Sequence, residues 1–555
     1  MDSYDYDLGQ HSLPVTTPSP VAQTWFDRGL NWTYGFNHDE AIACFNRALE
    51  ADPTCAMAHW GVAYAAGPNY NMPWDLYDDR SRAKSLRQAY AATVLALENS
   101  SGASPVEAAL ISALQLRYPQ EDLAPLEQMA GWDRAFADKM RQLHQAYPDQ
   151  LDVASVFVES LMNLTPWKMW DLRKGTPADG AFTIEAQTTL ETAFRDDTRA
   201  MSHPGLLHLY VHLMEMSPTP EAALKAADVL RTLVPDAGHL VHMPTHIDIL
   251  CGAYRDAVVW NQAAIKADLK YFKAAGAFNV YTGYRQHNYH FVIYAALFLG
   301  QIEPALQAVK GMTATVPEDM LRIESPPMAD YFESYMHLLP HILVRFGRWD
   351  AAIALQPPED QTLYCTGTAY THYARTIAFA ATGRITDAKA EEQVFLKACD
   401  AVPDTRRMHN NRVTDLLEIA KAMCRGEIAY REQDYETAFA ELRRAVALDD
   451  DLPYDEPWGW MQPARHALGA LLFEQGHIDE AEAVYREDLG LGGQLSRATV
   501  HPENVWSLRG LFDCLKARGE DIESVLIKQR LDLALSRADA AVAASCFCAQ
   551  TAMNA

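Results

Sequence analysis

Eight histidines stand between Met201 and His290: His203, His208, His212, His239, His242, His246, His287 and His290. On a helix of about 3.6 residues per turn, His208, His212 and Glu215 fall on one stripe, because residues three and four apart share a face. His239, His242 and His246 repeat that spacing, His287 and His290 form a third group, and His337 and His341 a fourth. Imidazole is the commonest protein ligand of transition metals, and helical bundles build metal sites from inward side chains on facing helices. The pattern predicts a nitrogen-rich pocket for copper, iron or zinc, a choice that ligand type alone leaves open. His208, His212, His242, His246, His287 and His290 are its expected ligands. His239 and Glu215 are expected to steady them or to carry a proton in catalysis.

Familiar metal motifs fit poorly. A zinc-protease helix reads His-Glu-x-x-His, and Leu209 stands where the glutamate belongs. Di-iron bundles use Glu-x-x-His, whereas this chain has the reverse order, His212-Leu-Met-Glu215. Tyr284 and Arg285 precede His287 and could orient an imidazole or neutralise an anionic substrate. Tyr454, Glu456 and Arg465 lie beside Trp458 and Trp460 and suit a lip for an apolar ligand with one anionic group. Each of these residues alone also suits ordinary helix packing, and only their clustering favours a site. Open positions on iron or copper would suit oxygen chemistry, and zinc would activate water for hydrolysis. An oxidoreductase or a hydrolase is therefore the expected enzyme class, if the chain is an enzyme. The sequence has no Gly-rich phosphate loop, dinucleotide fingerprint or Gly-x-Ser-x-Gly elbow, which removes support for kinase, dehydrogenase and serine-hydrolase chemistry.

The elements that must hold these residues are helical. Apolar residues recur at helical spacing from about Val21 onward, while strand alternation and hairpin turns are almost absent, so the fold is expected to be all-α. A repeat of about 34 residues is visible in Trp25, Gly29, Trp32, Ala41, Phe45, Ala48 and Pro53. Gly252, Gly347, Gly383 and Gly476 each stand at a helix end just before a new helical stretch, as hairpin turns require. Gly426, Ala438, Leu442 and Ala445 repeat the anchors, and so do Gly469, Ala481 and Tyr485. One such repeat cannot bury its apolar face alone, so the units must stack into an α-solenoid, a superhelix of antiparallel hairpins with a concave surface. The expected organisation is a flexible tail over 1–20, one solenoid over 21–545 that is irregular around 68–204, and a second tail over 546–555.

The anchors resemble those of the tetratricopeptide-repeat (TPR) family. A closer resemblance, along nearly the whole chain, is to a group of large, mainly bacterial repeat proteins. It is carried by Gly35-Phe-Asn-His-Asp-Glu-Ala41, Cys55-Ala-Met-Ala-His-Trp-Gly61, Gly67-Pro-Asn69, Gly238-His-Leu-Val-His-Met-Pro-Thr-His246, His287-Asn-Tyr-His290 and Tyr454-Asp-Glu-Pro457. This resemblance implies a fold and brings no activity with it.

Composition narrows the partners. With 49% hydrophobic and 22% charged residues in 555, the chain reads as folded and too long for one compact core. A net charge of −26 argues against nucleic acid, whose phosphates call for clustered Lys and Arg. Nine irregularly spaced cysteines read as reduced thiols, which favours the cytoplasm, and Cys546 and Cys548 fall in the small-residue tail. The start, Met-Asp-Ser-Tyr-Asp, has no basic or apolar leader, and the longest apolar run, Phe291 to Leu299, is too short to cross a membrane. Two functions follow as expectations: a metal-binding pocket that acts on or senses a small molecule, or a cytoplasmic scaffold holding a peptide or protein in its groove.

Overall fold

The first hairpin shows how the sequence makes its elements. Ser19 accepts from the Ala22 N–H and Pro20 takes the first helical position, so the helix Pro20–Tyr34 begins there. After Gly35, the Asn37 side chain accepts from the Glu40 N–H and starts the helix His38–Ala51. Phe45 of this second helix fits between Gly29 and Gly61, where a Cβ on either glycine would lie 2.6 Å from its ring. Both neighbouring helices, Pro20–Tyr34 and Ala56–Ala66, close on one aromatic ring because both lack a side chain there. The device recurs where Gly426 meets Leu442 and where Gly469 and Gly510 meet Tyr485.

The turns follow the same local chemistry. Gly252, Gly347, Gly383 and Gly476 have φ of 78°, 57°, 76° and 81°, the left-handed region that glycine enters without strain. Gly383 separates the helices Cys365–Ala381 and Ile385–Asp400, and Gly476 separates Ala464–Glu474 from Ile478–Asp488.

The computed structural model describes residues 4–549. Helices dominate from Pro20 to Leu535, as the all-α reading expects. Among the described residues two antiparallel strand pairs interrupt them, Trp170–Asp171 with Thr176–Pro177 and Arg407–Met408 with Asn411–Arg412. Among the described residues no helix is long and apolar enough to cross a membrane.

The chain groups into two compact units, where the sequence suggests one array. The first comprises Met1–Ile247 and Ala263–Arg285, the second Asp248–Gln262 and Gln286–Ala555. Trp32 and Trp60 are wholly buried in the first, Trp460 and Trp506 in the second. Within the stretch expected to be irregular, long helices run over Asp79–Glu98, Pro105–Arg117, Leu126–Ala146 and Leu151–Met162.

The segment before Pro20, expected to be a flexible tail, is tied down from Tyr4 on. Trp32 Nε1 donates to the Tyr4 hydroxyl (2.6 Å), which donates to Glu40 (2.8 Å), and Asn31 donates to the His11 carbonyl (2.9 Å). Buried Trp32 and Asn31 carry donors that need partners, and this segment supplies them. Of the expected tail over 546–555, residues from 550 on lie outside the described residues. Cys546 and Cys548 are joined as a disulfide, where the sequence suggests free thiols.

Candidate metal centre

Every residue of the helix Pro204–Met214 in the first unit is buried. A helix enclosed on all sides leaves its polar side chains no water, so each must find a partner inside. His208 Nδ1 lies 2.7 Å from the Tyr34 carbonyl oxygen. A carbonyl only accepts, so Nδ1 carries the proton and Nε2 of the neutral ring is left with a lone pair. That Nε2 lies 3.1 Å from Nε2 of His239. Burial first, and then the neighbouring imidazoles, hold both rings well below the ordinary histidine pKa, with His212 beside His208 and His208 beside His239. Both rings are therefore neutral, as metal ligands must be.

Glu215, the residue that ends this helix, spans two more imidazoles. Its Oε1 is 3.1 Å from His212 Nδ1 and its Oε2 2.6 Å from His246 Nδ1. With Glu215 ionised, both Nδ1 atoms donate, and wherever such a ring is neutral its lone pair lies on Nε2. This is the tautomer that a carboxylate imposes on a metal-bound histidine. His242 Nε2 lies 2.7 Å from His246 Nε2. These two histidines occupy successive helices, Gly238–His242 and Pro244–Leu250, because Pro244 opens a new helix.

His208, His212 and His239 each offer a nitrogen, all within 4.8 Å of one another, so they could hold a metal ion. Zn–N bonds of about 2.0–2.1 Å put two tetrahedral ligands roughly 3.3 Å apart. The 3.1 Å between His208 and His239 is close to that spacing, and a nitrogen of His212 lies within 4.8 Å of both. None of the three is more than 1% exposed.

Aromatic rings enclose the cluster. Phe36 lies 4.5 Å from His208 and stacks on His239 at 5.4 Å, Tyr70 lies 4.9 Å from His212, and Tyr284 lies 4.4 Å from His239. Phe36 takes φ 55°, a strained conformation for a residue with a side chain, in the turn of the first hairpin.

The tetratricopeptide-repeat model matches residues 34–55, from Tyr34 through that turn and the following helix. The chain carries a tetratricopeptide repeat. Its first recognised repeat thus supplies two neighbours of the histidine cluster, the Tyr34 carbonyl and the Phe36 ring. No curated protein matches the sequence. Among solved structures, the crystal structure of Ypp1 is similar at 8% identity and a TM-score of 0.41, covering 95% of this chain and 77% of that one. The TPR domain of P58(IPK) gives 12% and 0.21, covering 93% and 98%. Naa15/Naa10 bound to HypK-THB gives 12% and 0.20, covering 92% and 70%.

Arg285, in the first unit, lies 4.5 Å over the Phe272 ring and donates to the Thr282 hydroxyl (3.2 Å). His287 and His290 belong to the second unit. There His287 stacks on His409 at 5.2 Å, and His290 Nε2 meets the Met461 sulfur at 2.9 Å. Burial pushes His290 down to about 3. Tyr454 and Glu456 are buried in the second unit, and Arg465 there is ion-paired to Asp450. Tyr34, Phe36 and Tyr70 also contact the cluster, and the histidine spacing does not point to them. Phe36 lies inside the block Gly35–Ala41 and Tyr70 directly follows Gly67-Pro-Asn69, both part of the resemblance.

Proposed function

We infer that this tetratricopeptide-repeat protein is an interaction scaffold that binds a protein or peptide partner. The observation that supports it is the repeat itself, matched over residues 34–55 and echoed by the glycine–aromatic contacts at Tyr485. Stacked hairpins of this kind present long helical faces on which partners dock. Cross-linking mass spectrometry on the full chain would identify a partner, and binding would then be repeated with that partner purified. Binding that persists in chelator and in a His208→Ala/His239→Ala variant is the expected result. Failure of every cross-linked candidate to bind when purified would remove the scaffold reading.

A specific observation favours a second role in the first unit, a buried transition-metal centre on His208, His212 and His239. It is the tautomer set: the Tyr34 carbonyl takes the His208 Nδ1 proton and Glu215 takes those of His212 and His246, turning Nε2 lone pairs inward. His242 and His246 extend the set, with Glu215 as its orienting group and Tyr284 against His239. Copper, zinc or iron would suit such nitrogen ligands and would supply Lewis-acid or redox character toward a small molecule. Metal analysis of untagged protein should give about one equivalent, lost in His208→Ala/His239→Ala. Protein that takes up no ion from copper, zinc or iron solutions would refute the centre.

A further inference from the structure

A second carboxylate–histidine group in the first unit faces open space. It lines a cleft of 870 Å³ built from residues around 7–14, 149–152, 199–203 and 229–235. One oxygen of Asp152, Oδ1, receives three donors: the Tyr34 hydroxyl at 2.6 Å, His11 Nε2 at 2.9 Å and His203 Nε2 at 3.3 Å. Burial opposes ionisation here, yet His203, together with His11, outweighs it and holds the Asp152 carboxyl well below the usual range. Asp152 is thus an anion whose second oxygen takes none of these bonds, on a side chain 15% exposed. His11, 13% exposed, donates through Nε2, so in the neutral ring its Nδ1 is an acceptor.

Two features choose the ligand. Asp7, Asp149 and Asp152 line the cleft against one cation, Arg199, which is already paired with Asp197 at 2.6 Å. Leu13, Leu151, Val229 and Leu233 supply apolar wall. A metal ion fits less well, although His11, Asp152 and His203 are close enough to hold one. The His203 Nδ1 atom accepts the Leu206 N–H, so the Nε2 facing Asp152 carries a proton in the neutral ring and has no lone pair to give. An anionic, acceptor-bearing floor below aliphatic walls suits an ammonium on an alkyl stem.

We propose that this cleft binds a lysine side chain of a partner peptide, with the ammonium on Asp152 and the His11 Nδ1 atom and the butyl stem on the leucines. The proposal rests on the scaffold reading and names the chemistry of the partner. The test uses the full chain at physiological salt and an acetylated, amidated octapeptide of alternating glycine and lysine, beside the same peptide with acetyl-lysine. Calorimetry should show saturable one-to-one binding of the lysine peptide, at least tenfold weaker for the acetylated one. Asp152→Asn and His11→Gln should each weaken it at least tenfold, while the exposed Asp122→Asn, which removes the same charge elsewhere, leaves it within twofold. If Asp152→Asn fails to fold, His11→Gln carries the test. Equal binding of both peptides, or Asp152→Asn binding as wild type does, would overturn the proposal, and so would stoichiometric zinc binding that depends on Asp152. A purified partner that still binds Asp152→Asn at full strength leaves the scaffold standing without this cleft. A cleft that binds lysine in a protein with no partner leaves the cleft without the scaffold.

Discussion

Glu215 in the first unit and Asp488 in the second are buried carboxylates that each hold two histidines, and the imidazoles around them are used differently. Asp488 accepts from His501 Nδ1 (2.8 Å), His466 Nε2 (2.8 Å), Asn504 (2.9 Å) and Ser507 (2.6 Å). His466 Nδ1 in turn accepts from Arg345 at 2.8 Å. An arginine is always a donor, so both nitrogens of His466 are spent on protein and none can bind an ion. In the first unit the Nδ1 protons of His208, His212 and His246 go outward to oxygen, and the Nε2 atoms of His208 and His246 each face another imidazole. The same residue types make a structural knot in one unit and a candidate ligand set in the other. What separates them is the use of the second ring nitrogen.

The largest effect expected from this contrast is on stability. Asp488→Ala strands four buried donors and should cost about 3–5 kcal/mol in urea unfolding, with metal content unchanged. A Tm near that of wild type would show that the Asp488 network is not the structural element described.

Glu215→Gln keeps an acceptor but gives one of its two imidazoles an amide N–H in place of a carboxylate oxygen. It should weaken metal binding about 10–100-fold, as loss of an orienting partner does. Competition against a chromophoric chelator would measure this, and unchanged affinity would detach Glu215 from the centre.

Acidification should act on the second unit with a defined sign. Burial pushes His466 down to about 4 in the folded chain, below the ordinary histidine value. Unfolded chain therefore takes up a proton below about pH 6.5 that the fold refuses, and stability falls as pH drops from there toward 4. Between pH 7 and pH 5 the His466 share of the loss is about 2 kcal/mol. Urea unfolding at the two pH values tests it: His466→Gln should shrink the pH 7 to pH 5 difference by that share, while the other buried, lowered histidines, His208, His239 and His290, keep theirs.

The smallest effect sharpens the boundary of the centre. Tyr284→Phe keeps the ring against His239 and should change metal affinity by less than about threefold, since the contact is one of ring packing.

Much of the fold was readable because it depends on local rules. Gly252, Gly347, Gly383 and Gly476 mark turns that need positive φ, and Gly29 with Phe45 marks a close helix approach. Part of the site was readable for the same reason, since His208, His212 and Glu215 share a helical stripe. The direction of His239 was not, because its spacing from His242 says nothing of the ring it meets on another helix. Nor could spacing show that the helix Thr282–Leu299 carries Tyr284 in the first unit and His287 in the second. Tyr34, Phe36 and Tyr70 reach the cluster from far away in sequence, where no local pattern points to histidine.

X-ray absorption on untagged protein after reconstitution, with metal stoichiometry measured on the same sample, tests the central contrast most directly. About one equivalent of metal in a shell of imidazole nitrogens, retained in His466→Gln and lost in His208→Ala/His239→Ala, is the predicted result. No bound metal, or a metal that survives loss of His208 and His239, would contradict the assignment of the first unit's histidines as a ligand set.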